Sequence, residues 1–146
     1  MAIYKRLVLF NLLTDLYPGT PIACGTTYAS IILYYTTEPL VPEITIQASY
    51  QSYVLKYNLT LLRRARDQRL VPTDIYMLPD FPHANDQIKQ AWVTYRQALR
   101  DITDTNPTPM VDDDDNLIGV VWPTAPDAAN VVDPNVVDPN ANVVNL

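Results

Sequence analysis

The stretch DQIKQAWVTYRQALRDI, residues 86–102, decides the reading of the fold. Its large apolar residues Ile88, Trp92, Tyr95, Leu99 and Ile102 recur at four- and three-residue intervals, which lines them up on one face of an α-helix. Asn85 or Asp86 is suited to cap its start, where an acid also meets the positive end of the helix dipole. Asn106-Pro107 ends it. Lys89, Arg96 and Arg100 run along one flank of the stripe. Upstream, near Ala48, the apolar period changes from that of a strand to that of a helix. Leu55, Leu59 and Leu62 share a face widened by Val54, Leu61 and Ala65, and Arg66 and Arg69 continue it. That pattern predicts a helix over 48–70, stopped by Pro72. Two arginines in line with an apolar stripe need partners or must carry their heads out to water.

The first 47 residues read as strand and loop. The apolar run at 3–13 fits a buried strand or a helix equally well. YPGTP at 17–21 breaks the chain. YASIILYYTT at 28–37 is dense in Tyr, Ile and Thr, residues suited to a pleated surface, and EPLVP at 38–42 separates it from the alternating EITIQ at 43–47. Two strands around a proline-stiffened loop follow. TDIYMLPDFPHA at 73–84 is a connector whose Ile75, Tyr76, Met77, Leu78 and Phe81 are expected to pack on the helices. The fold class expected is α+β: a small N-terminal antiparallel strand region packed on an antiparallel helix pair, with an extended C-terminal arm. In that reading residues 1–126 form one domain, made of a strand-rich 1–47, a helix pair at 48–104, and an acidic loop with a Trp-Pro segment at 105–126. Residues 127–146 are a low-complexity tail in which Val-Val-Asp-Pro-Asn occurs at 131–135 and again at 136–140.

With 146 residues, 48% of them hydrophobic, the chain is long enough to bury a core. Its charge is unevenly spread: all ten Lys and Arg lie before residue 101, whereas residues 101–146 hold nine Asp and no base. This asymmetry favours contact between the two parts, or between copies, unless the acids merely keep the tail solvated. A net charge of −6 argues against nucleic-acid binding. Cys24 and His83 are single residues of their kinds, which excludes an internal disulfide and a Cys/His zinc site. No cofactor, metal or small-molecule substrate is expected. The acidic run at 112–115 lacks the order of a calcium loop, and repulsion among its carboxylates favours a solvated loop. A triad would hang on His83 alone, and three Gly supply no phosphate cradle, so no enzymatic activity is expected. Lys5 and Arg6 before an apolar run, with Ile22-Ala23 before Cys24, imitate a lipoprotein leader that Asp15, Pro18 and Pro21 interrupt. No apolar run nears the roughly 18 residues that span a bilayer, so membrane insertion is not expected.

Ten Tyr and two Trp are aromatic side chains of the kind enriched at protein interfaces, and they also suit a small core. For Trp92 and Tyr95 both roles are open. Arg96 and Arg100, one turn apart, form a fork for carboxylates: Asp101, Asp104 or the acidic segment of a neighbour.

From about residue 61 to 126 the chain resembles the phage tail assembly chaperone-like domain of small tail and tail-fibre-associated proteins. The resemblance rests on Arg66 and Asp67, Thr73-Asp74, Leu78-Pro79-Asp80, Trp92 with Tyr95-Arg96, Leu99-Arg100-Asp101, and Trp122-Pro123 with Pro126, in that order. Ile75 stands where the family often has Trp, and the run at 112–115 lengthens the link to Trp122. The resemblance implies a tail-associated protein without catalytic residues, made in the bacterial host cytoplasm and carried in the virion tail. The role expected is a structural or connector component of tail, baseplate or fibre. A transient tail or fibre assembly chaperone and a host-surface-binding module are the alternatives. The implied partners are other tail or fibre proteins and copies of itself. Trp92, Tyr95, Lys89, Arg96, Arg100, Arg66, Arg69 and Trp122 are the candidate interaction residues.

Overall fold

A computed structural model describes residues 4–126. The chain is α+β, with helices dominating and two small antiparallel strand pairs. The described residues divide between Asn58 and Leu59 into two compact units, a boundary that falls inside one long helix. The C-terminal arm expected at 127–146 lies outside the described residues.

In the first unit, the ambiguous apolar run becomes helix α1, Arg6–Leu16, which buries Val8, Leu9, Leu12 and Leu13. These are paired positions one turn apart, so a helix hides four large side chains along one stripe where a strand would split them between two faces. Tyr17 ends α1 by donating its N–H to the Leu13 carbonyl at 2.9 Å, and Gly19 follows with φ +76°, a left-handed turn natural to glycine. Strands β1 (Ile22–Ala23) and β2 (Ile32–Leu33) then pair antiparallel, with Ile22 opposite Leu33 and Ala23 opposite Ile32. The long strand expected at 28–37 thus shrinks to two residues. Tyr28–Ser30 is instead a 3-10 turn, closed by a capping box between Thr27 and Ser30.

Helix α2 spans Glu43–Leu70 and absorbs the segment expected as a strand at 43–47. The two isoleucines of EITIQ show why. Two residues apart, they would share a strand face, yet Ile46 is fully buried while Ile44 is 71% exposed. Ile46 belongs to the core, and the half-buried Tyr50 and Tyr53 pack against the same cluster at the next helical positions. Glu43 in the first turn favours initiation through the helix dipole. The hydroxyls of the tyrosines hold the proline-stiffened loop ahead of α2. Tyr17 Oη donates to the Pro39 carbonyl at 3.2 Å and accepts the Val41 N–H at 2.7 Å, and Tyr28 Oη donates to the Val41 carbonyl at 2.8 Å.

The second unit holds the remainder of α2, a 3-10 helix at Val71–Met77, α3 (Asp86–Arg100), α4 (Ile102–Thr105), and the hairpin of β3 (Met110–Val111) and β4 (Leu117–Ile118). α2 gives way to the 3-10 helix where Pro72 stands. The acidic run forms the hairpin turn. Asp112 accepts the N–H groups of Asp114 and Asn116 at 3.0 and 2.8 Å, a side-chain-braced turn that leaves residues 113–116 exposed.

The Cys24 thiol is buried in the first unit's core, and burial pushes its pKa up against the opposing pull of Arg6. Both inaccessibility and a smaller thiolate fraction slow its chemistry. Cys24 should therefore react with an aromatic disulfide reagent at least about tenfold more slowly in native protein than in denaturant. Equal rates would contradict its packing.

Candidate functional site: the framework and surface of the C-terminal unit

α3 starts at Asn85, whose side chain accepts the Ile88 N–H at 2.9 Å, as a helix cap should. From there Trp92, Tyr95, Arg96 and Leu99 turn inward, followed by Ile102 in α4. Four of these five are the apolar stripe of the sequence. The fifth is an arginine.

The aromatic residues form one cluster. Tyr76, from the 3-10 helix, stacks on Trp92 with ring centroids 3.8 Å apart and planes at 27°, while Tyr95 meets the same indole edge-on at 5.8 Å. Phe81 stands edge-on to Tyr76 at 5.0 Å, and the His83 ring packs on Phe81 at 4.7 Å. His83 Nε2 donates to the Tyr76 carbonyl at 2.8 Å, since a carbonyl can only accept. Leu70, Ile88, Trp122 and Ala125 close the cluster from its sides. Such offset and edge-to-face pairs each add about 0.5–1.5 kcal/mol beyond the burial itself.

Arg96 fastens the connector to α3. Its guanidinium, only 6% exposed, donates to the Leu70 carbonyl at the end of α2 (3.2 Å), to Thr73 Oγ1 (2.5 Å) and to Asp74 Oδ1 (2.6 Å). The Leu70 carbonyl belongs to the last turn of a helix and has no partner further along it, and Thr73 Oγ1 donates to the same oxygen at 2.6 Å. One arginine thus satisfies a helix end, a hydroxyl and a carboxylate. Arg69 plays a parallel part on the neighbouring face of α2, lying 3.9 Å over the centre of the Trp122 ring and donating to the Ala65 carbonyl.

The predicted site residues therefore separate into three groups. Trp92 and Tyr95 are core. Arg96, Arg69 and Trp122 are internal fastenings, and Arg96 answers Asp74, an acid outside the expected set of Asp101, Asp104 or a neighbour's segment; Asp101 accepts from Gln97 at 2.8 Å. Arg66 pairs with its neighbour Asp67 at 2.8 Å, while Lys89 and Arg100 are exposed and enter no ion pair among the described residues. Sequence reasoning missed Tyr76 as the centre of the aromatic cluster, because a residue in an irregular connector carries no periodicity. It also missed two surface features. Ile75, Met77 and Leu78 stand out from the 3-10 segment, each at least a third exposed, on either side of the buried Tyr76. Further along α2, Arg63 and Arg64 line an open groove of about 630 Å³ together with Thr60, Asp67, Gln68, Val71 and Pro72. Among the described residues no three His, Cys, Asp or Glu gather as metal ligands would, and no helix is long and apolar enough to cross a membrane.

Three changes test this framework. Trp92→Ala should cost about 3–5 kcal/mol of stability, the range for a buried large aromatic, read by thermal or urea unfolding. Arg96→Ala should cost about 3 kcal/mol, the lower end for a broken buried pair because Asp74 faces solvent. Arg100→Ala should stay within about 0.5 kcal/mol of wild type, and comparable losses at 96 and 100 would remove the distinction drawn between them.

Thr73-Asp74, Trp92, Tyr95-Arg96, Leu99 and Trp122 are thus joined in space as well as ordered in sequence. No curated protein and no solved structure matches the chain. The family described as phage tail assembly chaperone protein does match, over residues 59–127, beginning where the second compact unit begins, so that segment, a little under half of the chain, is similar to this family.

Proposed function

We propose that this protein acts in building a phage tail by binding another tail protein through the surface of its C-terminal unit, with no chemical step of its own. One observation carries the reading. The 3-10 segment is held from behind by the Tyr76–Trp92 stack and by the Arg96 bonds to Thr73 and Asp74, while Ile75, Met77 and Leu78 face outward. Apolar side chains on a backbone that is already fixed lose little further freedom on binding, which is what a protein-binding anchor needs. The hydrogen bonds Leu78 N–H to the Ile75 carbonyl and Phe81 N–H to the Leu78 carbonyl, both 3.2 Å, continue that fixation past the end of the 3-10 helix. His83, the single histidine, is committed to the aromatic cluster, which supports a role without nucleophilic catalysis.

Between a component that stays in the tail and a chaperone that leaves it, the family description favours the second. Its partner is then a tail or fibre subunit whose apolar surface is not yet covered by assembly. Mass spectrometry of purified virions separates the two readings, since a chaperone is absent from mature particles and a structural or connector component is present in fixed copy number. The surface itself is tested by Met77→Asp with Leu78→Asp. This variant should keep the wild-type melting temperature to within a few degrees and lose at least about tenfold in capture of the tail partner from infected cells, as expected for charges placed on an apolar anchor. Undiminished capture would move the binding surface elsewhere.

A further inference from the structure

We infer that the groove lined by Arg63 and Arg64 is the docking site for this chain's own C-terminal segment, residues 127–146. Charge selects an acidic occupant. Asp67, the groove's only acid, is engaged by Arg66 at 2.8 Å, and neither Arg63 nor Arg64 enters an ion pair among the described residues. Both arginines are exposed, with their heads available to a carboxylate. The remaining wall includes Val71 and Pro72 and is mainly apolar. An occupant must therefore combine carboxylates with small apolar side chains.

Residues 127–146 have that composition. They contain Asp127, Asp133 and Asp138, no Lys or Arg, and the valine pairs 131–132, 136–137 and 143–144. Pro134 and Pro139 follow two of the acids and bar a helix, which suits an extended strand of chain laid into a groove.

The starting point of the segment favours its own groove over that of a second copy. Trp122 lies over Arg69 and lines a neighbouring groove together with Arg64 and Gln68, and those two residues line the first groove as well. Only Pro123, Thr124, Ala125 and Pro126 separate Trp122 from the segment, a span of at most about 17 Å when extended. Beyond that point the segment itself can reach on the order of 70 Å. Tethering so near raises its effective concentration at the groove to about the millimolar range, enough to fill a site of modest intrinsic affinity.

The experiment is hydrogen–deuterium exchange read by mass spectrometry on the full chain. Peptides covering 131–146 should be protected in wild type. Arg63→Glu with Arg64→Glu should lower that protection about tenfold or more, because like charges then face each other. Asp133→Asn with Asp138→Asn alters only the tail and should produce the same loss without touching the folded unit. Protection in wild type should also weaken as salt rises, as for any exposed charge pair. Tail peptides that exchange identically in wild type and both variants would overturn the assignment. Protection that grows with protein concentration would overturn it too, by assigning the groove to the tail of a second copy.

Discussion

The guanidinium of Arg96 is the contact on which the C-terminal unit depends. A buried cation is costly unless its donors are used, and here they reach the carbonyl at the end of α2, the hydroxyl of Thr73 and the carboxylate of Asp74. Those three acceptors lie within a few residues on either side of Pro72, where α2 gives way to the 3-10 helix. The arginine thereby sets where the connector starts relative to α3, and so delivers Tyr76 onto the face of Trp92. Polar and aromatic contacts act on the same short segment from opposite sides. Neither would hold it alone, because a 3-10 helix has weak hydrogen-bond geometry and little stability of its own.

This arrangement turns the family's ordered residues into an architecture. Thr73 and Asp74 are the acceptors for Arg96, Trp92 is the platform for Tyr76, and Trp122 brings the end of the described chain back under Arg69. Thr73, Trp92, Tyr95, Arg96, Leu99 and Trp122 are engaged inside the unit, whereas Leu78, Pro79, Asp80 and Arg100 of the same motif are exposed. The exposed side chains include Ile75, Met77 and Leu78 on one part of the surface, of which Leu78 belongs to the motif, and Arg63 and Arg64 on another.

How much of this was legible beforehand varies with the type of signal. The cap and stripe of α3 are legible because they are local and repeated, Asn85 and then Ile88, Trp92, Tyr95 and Leu99, whereas the helix ends at Arg100 and Asn106-Pro107 closes the short α4 that follows. Pro72 likewise marked the end of α2, and the acidic run was correctly a loop, since four adjacent carboxylates resist burial. The N-terminal region misled where patterns were short. EITIQ alternates like a strand, and only the burial of Ile46 with the exposure of Ile44 shows the helix. The dense Tyr and Ile of 28–37 suit a strand, but only Ile32–Leu33 pairs as one, and Tyr28 serves instead as a strut bonding across to Val41.

The sequence by itself determined the elements whose signal lies within a few turns of chain: the two long helices, the end of α2 at Pro72, the start of α3 at Asn85, and an acidic turn. It also carried the likeness to the family over residues 59–127, because the order of the motif residues survives without knowledge of their contacts. Only the tertiary structure decided what each of those residues does. Whether Arg96 faces water, a neighbour or Asp74 depends on a chain segment 22 residues away. Whether Trp92 is core or interface depends on Tyr76 arriving over its ring from a connector with no periodicity. Local spacing says which side of a helix a residue occupies, and long-range packing alone says what waits on that side.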